Sequence, residues 1–358
     1  MGVTVAATAT SAEAAPALPD VIKQELRQTA SAAKQPGDAT VRLLVGGAAA
    51  QPFTADLAPL RTKGVIEHGQ QRHTKIDENL AQFDAELATA RSRSQGEDLL
   101  GLIDRAARTK ADADLVVISS GISTADPVDF RKIGFSGDPK EVAADLRNRH
   151  LLPDLANRRV SFAGLGQTAG GQPPLPLPAR DYVEQVWKGV CELAGAAECR
   201  VIDEIGPVKP PTATAAVPRV PVPTIATRPG PRPNSEIVSI PDPITGFTRD
   251  SARLSPAADD VLRPLADEIA SKDLRVDVVG HVADVGPGHG MDLSRRRAEA
   301  VARRLVALGV PDDAIGSVIG RGDLHNKINN WTHGHFDEAK AVHNRIVEIT
   351  TSPSTPTH

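Results

Sequence analysis

The chain has 358 residues, enough for two domains of ordinary size. Its 41 basic and 45 acidic side chains nearly cancel, and only 3% of residues are aromatic, so it offers neither an electrostatic footprint for nucleic acid nor a stacking surface for bases. No run of about 20 apolar residues occurs, which excludes a membrane-spanning helix in this sequence.

Residues 1–37 are Ala/Thr-rich and read as a flexible segment with one helical pattern over 19–34. The start lacks the basic region and long apolar core of a signal peptide. Residues 38–205 alternate strand and helix patterns. Thr40–Val45 reads as a strand. Asn79–Ala90 is helical, with Leu80, Phe83 and Leu87 in register. Leu99, Ile103 and Ala106 mark another helix. Asp114–Ser119 is a short apolar run, the signature of a strand buried on both faces. Val142 and Leu146 carry a short helix, and Arg159–Gly164 is a strand. Ala179–Leu193 is a helix with Val183, Val186, Trp187 and Val190 inward, and Cys199–Asp203 is a last strand. This alternation predicts an α/β domain with a parallel, doubly wound sheet. Cys191 would close the last helix and Cys199 open the last strand, a turn tight enough for a disulfide.

Residues 206–235 hold nine prolines between Gly206 and Asn234 and read as a semi-rigid linker. Residues 236–351 read as an α+β domain with four strands and three helices in alternation, followed by a tail at 352–358. Its first strand is Ile237–Ile240 or Thr245–Thr248. Ser255-Pro256 opens a helix to Ser271, with a capping serine and proline at its first position. Leu274–Val282 is a strand, Leu293–Leu308 a helix, Ala314–Ile319 a short strand, Asp337–Val342 part of a helix and Asn344–Thr350 the closing strand. On the Leu293–Leu308 helix, Leu293, Arg297, Val301, Leu305 and Leu308 share one face. Arg297 is the exception on that apolar stripe. A cation there needs either a protein carboxylate or a ligand carboxylate.

Three separated blocks carry a family resemblance: Gly280-His281 to Gly286, Leu293-Ser294 through Arg297-Ala298 to Val301, and His343-Asn344-Arg345 to Ile349. Together they resemble the OmpA-like domain over about residues 236–351. The resemblance implies a βαβαβαβ fold that holds peptidoglycan non-covalently, outside the cytoplasm, with a signal or anchor absent from this chain. It implies that a motif Asp and Arg grip the diaminopimelate of the stem peptide, and Arg297 matches that Arg. The motif Asp slot holds Ala283, with Asp284 one position on. The loop from Gly286 to Leu293 is one residue short, Gly290 stands where an Asn is common, and Ile346 replaces a second motif Arg. The expected ligand-binding set is therefore Arg297, Asp284, His281, Asn344 and Arg345.

The pattern of residues 38–205 resembles a von Willebrand factor A-like domain. That family's metal slots fall on Gly46, Ala48 and Ala50 and, after a later strand, on Ser120, so the resemblance implies a degenerate metal site. Gly164 to Gly170 has the wrong spacing for a dinucleotide loop and prolines follow it. His333 and His335 read as solvated loop residues, and Arg321-Gly322-Asp323 as a turn. Ser119, Ser120 and Ser123 lack a nucleophile elbow, and His68, His73 and His150 are remote in sequence. The sequence thus predicts a two-domain envelope protein without enzymatic activity, cofactor or metal. It predicts peptidoglycan as one partner and a protein as the partner of the N-terminal domain. The alternatives are a structural module that lost wall binding with its motif Asp, and an N-terminal hydrolase.

Overall fold

The computed structural model describes residues 2–354 apart from 48–51, 62–63, 110–113, 136, 204–208, 223, 248–249, 285, 287–289, 325, 327 and 333. The chain divides into two units. One comprises residues 1–130, 139–175 and 183–220, and the other residues 131–138, 176–182 and 221–358.

Through residue 202 the elements are β1 (Gly2–Ala7), α1 (Asp20–Ala32), β2 (Thr40–Val45), β3 (Phe53–Asp56), α2 (Arg72–Thr89), α3 (Leu99–Thr109), β4 (Asp114–Ile118), α4 (Phe130–Ile133), α5 (Pro139–Asn148), β5 (Arg159–Ala163), α6 (Leu177–Leu193) and β6 (Glu198–Ile202). The strands form one sheet in the order β3-β2-β1-β4-β5-β6. All neighbours run parallel except β2 and β3. A right-handed crossover between parallel strands needs a dozen or more residues, and the helices supply them.

The first correction concerns residues 1–37. Residues 2–7 are not a flexible lead but β1, the strand between β2 and β4. Val5, Ala6 and Ala7 are fully buried. Alanine is a weak strand former. Small side chains nevertheless suit a central strand, which has helices or sheet neighbours on every side. Gly46, expected as a metal slot after the first strand, thus follows β2 and not the central strand; Ala48 and Ala50 lie outside the described residues.

A second correction concerns residues 206–235. Much of this stretch is not a free spacer. Val220 is buried and exchanges two hydrogen bonds with the Gln172 side chain, at 2.8 and 2.9 Å. The Ser11 hydroxyl donates to the Ala215 carbonyl at 2.7 Å, and the Ala15 amide to the Lys209 carbonyl at 3.3 Å. Proline removes donors, and the contacts just given hold the segment mostly through its carbonyls. Residues 226–229 join the second unit as a strand.

The disulfide forms as the spacing predicts. Cys191 on α6 and Cys199 on β6 are bonded, with Cα atoms 6.1 Å apart.

The second unit contains β7 (Ala226–Pro229), β8 (Glu236–Pro241), α7 (Asp242–Thr245), α8 (Asp259–Ser271), β9 (Leu274–Gly280), α9 (Met291–Ala307), β10 (Ile315–Gly320), β11 (Trp331–Thr332), β12 (His335–Phe336), α10 (Glu338–Ala341) and β13 (Ile346–Pro353). Five strands form a sheet in the order β10-β9-β13-β8-β7, and β11 pairs with β12 as a separate hairpin. The closing strand β13 is antiparallel to both β8 and β9. Its Val347 and Ile349 join Val276, Val278, Leu262 and Leu305 in one core. Burying each such side chain contributes about 1.5–3 kcal/mol. Ser255 caps the helical entry as expected, its hydroxyl accepting the Ala257 amide at 3.3 Å. Thr245 closes α7 and so belongs to no strand; Thr248 lies outside the described residues.

Candidate functional site

The site of interest lies where β9 and β10 end and α9 begins. Close packing builds this corner. A Cβ on Gly280 would collide with the Ser294 carbonyl, and one on Gly320 with the Arg295 amide and the Ser294 hydroxyl. Ser294 is fully buried. Its hydroxyl donates to the Met291 carbonyl and accepts the Gly322 amide, both at 2.9 Å. The motif glycine and serine thus weld the first turn of α9 to the strand ends.

Arg297 projects from α9 into the interior. It is 1% exposed. Its Nη1 donates to Asp242 Oδ2 at 2.7 Å, and its Nε donates to the Ser251 carbonyl at 2.9 Å. The guanidinium carbon also stands 5.1 Å from the centre of the Phe247 ring, within cation–π range. Asp242, at the start of α7, is equally buried. Of the two partners expected for Arg297, a protein carboxylate or a ligand carboxylate, the structure places a protein carboxylate against it. The Asp242 carboxylate holds it, because a buried cation needs a counter-charge.

Asp284 lies elsewhere. It helps to line an open pocket of 530 Å³ together with Asp323, Leu324, Asn326, Ile328 and Asn330. Arg297 is not among the described residues of that lining. Ala283, in the motif Asp slot, is buried, as are His281 and Val282 before it, whereas Asp284 is partly exposed. Asp284 Oδ1 accepts the Gly286 amide at 2.9 Å, which fixes the carboxylate at the turn. Its backbone is clamped by Asn330: the Asn330 amide donates to the Asp284 carbonyl at 2.8 Å and accepts the Asp284 amide at 3.3 Å.

Asn344 is the next rung. Its Nδ2 donates to Asn330 Oδ1 at 3.0 Å and to the Ile328 carbonyl at 2.6 Å, while its Oδ1 accepts the Ile328 amide at 3.2 Å. Asn330 and Asn344 are both buried. A satisfied ladder of buried amides makes the pocket wall rigid. Arg345 reaches the site by its backbone, since its carbonyl accepts the Asp242 amide at 3.0 Å. His281 is 7% exposed, and its Nε2 stands 3.6 Å from Glu348 Oε2 on β13. It packs against the sheet and is not among the described residues of the pocket lining. Of the five expected residues, one lines the pocket, one braces its wall, and three belong to the packing beside it.

The chemistry of the pocket is that of an acceptor. Asp284 and Asp323 place carboxylates in its lining, and Asn326 adds a side-chain amide. Such a lining suits an ammonium flanked by amide or hydroxyl groups. Sequence reasoning missed Asp242, Asp323 and Asn330. The pairing of Asp242 with Arg297 spans 55 residues, and local pattern carries no signal for that distance.

In the first unit a different cluster was missed. Glu13 and Glu97 are both buried. Glu13 accepts the amides of Thr10 and Ser120 at 2.7 Å each, and Glu97 accepts the hydroxyls of Ser119 and Ser120 at 3.1 Å. Burial raises the Glu13 carboxyl above its usual range. Burial, aided by the neighbouring Glu13 charge, pushes Glu97 well above it. Ser119 and Ser120 therefore serve Glu97, while Ser123 accepts the Leu99 amide at 3.1 Å. His68, His73 and His150 are exposed. Among the described residues no group of three or more His, Cys, Asp or Glu could hold a metal ion, and His333 lies outside them. Among the same residues no helix is long and apolar enough to cross a membrane.

A family model described as the OmpA family matches residues 246–340. The peptidoglycan-binding protein ArfA of Mycobacterium tuberculosis (strain ATCC 25618 / H37Rv) is 37% identical over 123 residues, which are 33% of this chain and 36% of ArfA. The ArfA of Mycobacterium bovis matches to the same extent. The match thus spans about a third of the length of these curated relatives. Among solved structures, the cell wall anchor of the T6SS from Pseudomonas aeruginosa is 24% identical, covering 36% of this chain and 88% of that one, with a TM-score of 0.31. The peptidoglycan-associated lipoprotein from Burkholderia pseudomallei is 25% identical, covering 32% and 89%, with a TM-score of 0.27. At those scores the structural likeness carries no argument.

Proposed function

We propose that this chain attaches non-covalently to peptidoglycan through its OmpA-like unit, in the cell envelope. The observation that carries the reading is the pocket at Asp284, built within the stretch that the OmpA family model matches. A relative named for peptidoglycan binding shares 37% of its residues over 123 positions. In this reading Asp284 and Asp323 take the ammonium of the diaminopimelate side chain, and the Asn330–Asn344 ladder holds Asp284 in place. Arg297 maintains the corner through Asp242 and does not touch ligand. This differs from a clamp in which one acid and one guanidinium share the zwitterion.

The test is calorimetric titration of the full chain with a diaminopimelate-containing stem peptide. Saturable binding that Asp284→Ala abolishes, with unchanged folding, is the expected result. Absence of binding to the wild type would remove the reading.

Burial of both Ala283 and Arg297 favours a second reading, a structural module that has lost wall binding. The same titration separates the two, because that module binds no stem peptide.

For the first unit we infer a doubly wound, von Willebrand factor A-like domain that binds a protein partner and performs no catalysis. The strand order β3-β2-β1-β4-β5-β6 supports the doubly wound reading. The commitment of Ser119 and Ser120 to Glu97 speaks against a serine hydrolase.

A further inference from the structure

We propose that the β11–β12 hairpin is a sugar-stacking platform, on which Trp331, backed by Phe336, seats an N-acetylated pyranose ring of a glycan strand. The inference rests on the peptidoglycan reading and deepens it. The glycan would lie on the hairpin while its peptide branch enters the Asp284 pocket.

The chain has 2 tryptophans, 1 tyrosine and 7 phenylalanines. Trp187 is fully buried and donates its indole N–H to the Gly121 carbonyl at 2.7 Å. Trp331 is 37% exposed and Phe336 38%. The two are directly opposite across the antiparallel hairpin, with ring centres 5.6 Å apart and planes at 82°. That edge-to-face contact fixes the indole in one orientation while leaving part of it open to solvent. An aromatic held this way loses little freedom when a ligand arrives.

The platform and the pocket are mechanically one piece. Trp331 directly follows Asn330, whose side chain clamps Asp284. The Asp337 amide donates to the Asn330 carbonyl at 2.8 Å and closes the base of the hairpin. The Trp331 amide donates to Asn329 Oδ1 at 2.9 Å, and Asn329 also lines the pocket. An apolar ring face bordered by amides and carboxylates complements a pyranose, whose C–H face is apolar and whose rim carries hydroxyl and acetamido groups. It complements a protein partner poorly, because the two rings, even with exposed Leu324 and Ile328 of the pocket lining, are far below the apolar core of a stable protein interface.

The experiment uses the full chain and a soluble β-1,4-linked N-acetylglucosamine tetramer. Trp331 is the solvent-facing tryptophan, so its fluorescence reports the platform directly, and buried Trp187 serves as an unresponsive background. The wild type should show a saturable blue shift. Measured by calorimetry, which needs no indole reporter, Trp331→Ala should weaken tetramer binding by about tenfold or more and leave stem-peptide binding unchanged. Trp331→Phe should keep part of it. A wild type that binds stem peptide but shows no response to the tetramer overturns the platform and leaves the pocket standing. A wild type that binds neither overturns the peptidoglycan reading, and the platform with it.

Discussion

Replacing Arg297 by alanine should destabilise the second unit severely. The guanidinium and the Asp242 carboxylate are each 1% exposed and 2.7 Å apart. Removing one member leaves a buried charge without its partner, which costs about 3–5 kcal/mol. The lost bond to the Ser251 carbonyl and the lost contact with Phe247 act in the same direction. For a unit of this size such a loss lowers Tm by ~10–20 °C. Differential scanning calorimetry of the full chain resolves the affected transition. The double variant Arg297→Met with Asp242→Leu removes both charges and keeps most of the volume, so it should recover much of the stability. It should also recover retention on insoluble peptidoglycan, since in the proposed reading neither residue contacts ligand. The reasoning is refuted if Arg297→Ala keeps the wild-type Tm yet loses peptidoglycan. That result would mean a guanidinium free to grip a ligand.

Three further outcomes follow from the geometry. Asp284→Ala should abolish stem-peptide binding in calorimetry while lowering stability by no more than about 1 kcal/mol, the size of one turn hydrogen bond. Reduction of the Cys191–Cys199 bond, or Cys191→Ser with Cys199→Ser, should lower the stability of the first unit by about 2–3 kcal/mol, because the loop it closes is short; urea denaturation with and without reductant measures it. Glu13 and Glu97 are raised in the fold. The folded state therefore binds more protons than the unfolded chain, and their burden is absent below the unfolded carboxyl range and grows as pH rises through it toward the folded values. The first unit should accordingly lose stability from pH 4 upward relative to Glu97→Gln, which keeps hydrogen-bonding capacity for Ser119 and Ser120 without the charge. Parallel melting curves across pH 4–9 that do not separate would contradict this.

Periodicity disclosed most of the elements. β2 falls on Thr40–Val45 as read, and α9 begins two residues before and ends one residue before the helix as read. Helices and buried strands of that length bury one face or two, and the pattern of apolar residues is a direct record of burial. Arg297 also stood out as a charge on an apolar stripe. What pattern could not supply was its partner. Asp242 sits between two prolines, where a turn residue is unremarkable, and pairing over 55 residues depends on tertiary placement. β1 was hidden for a different reason. Its Ala and Thr content resembles a low-complexity lead, and its position at the centre of the sheet is a property of topology. The Asn330–Asn344 ladder was likewise illegible, since asparagines near turns usually serve their own backbone.

The central claim is that the acid pocket, and not the buried arginine, meets the stem peptide. Nuclear magnetic resonance of the full chain during titration with a diaminopimelate-containing stem peptide tests it most directly. The account predicts saturating shifts at the backbone amides of Asp284, Asp323 and Asn330, with the Arg297 Nε signal unmoved and still protected from exchange. A large shift or loss of protection at Arg297 Nε, with the Asp284 amide unchanged, would contradict it.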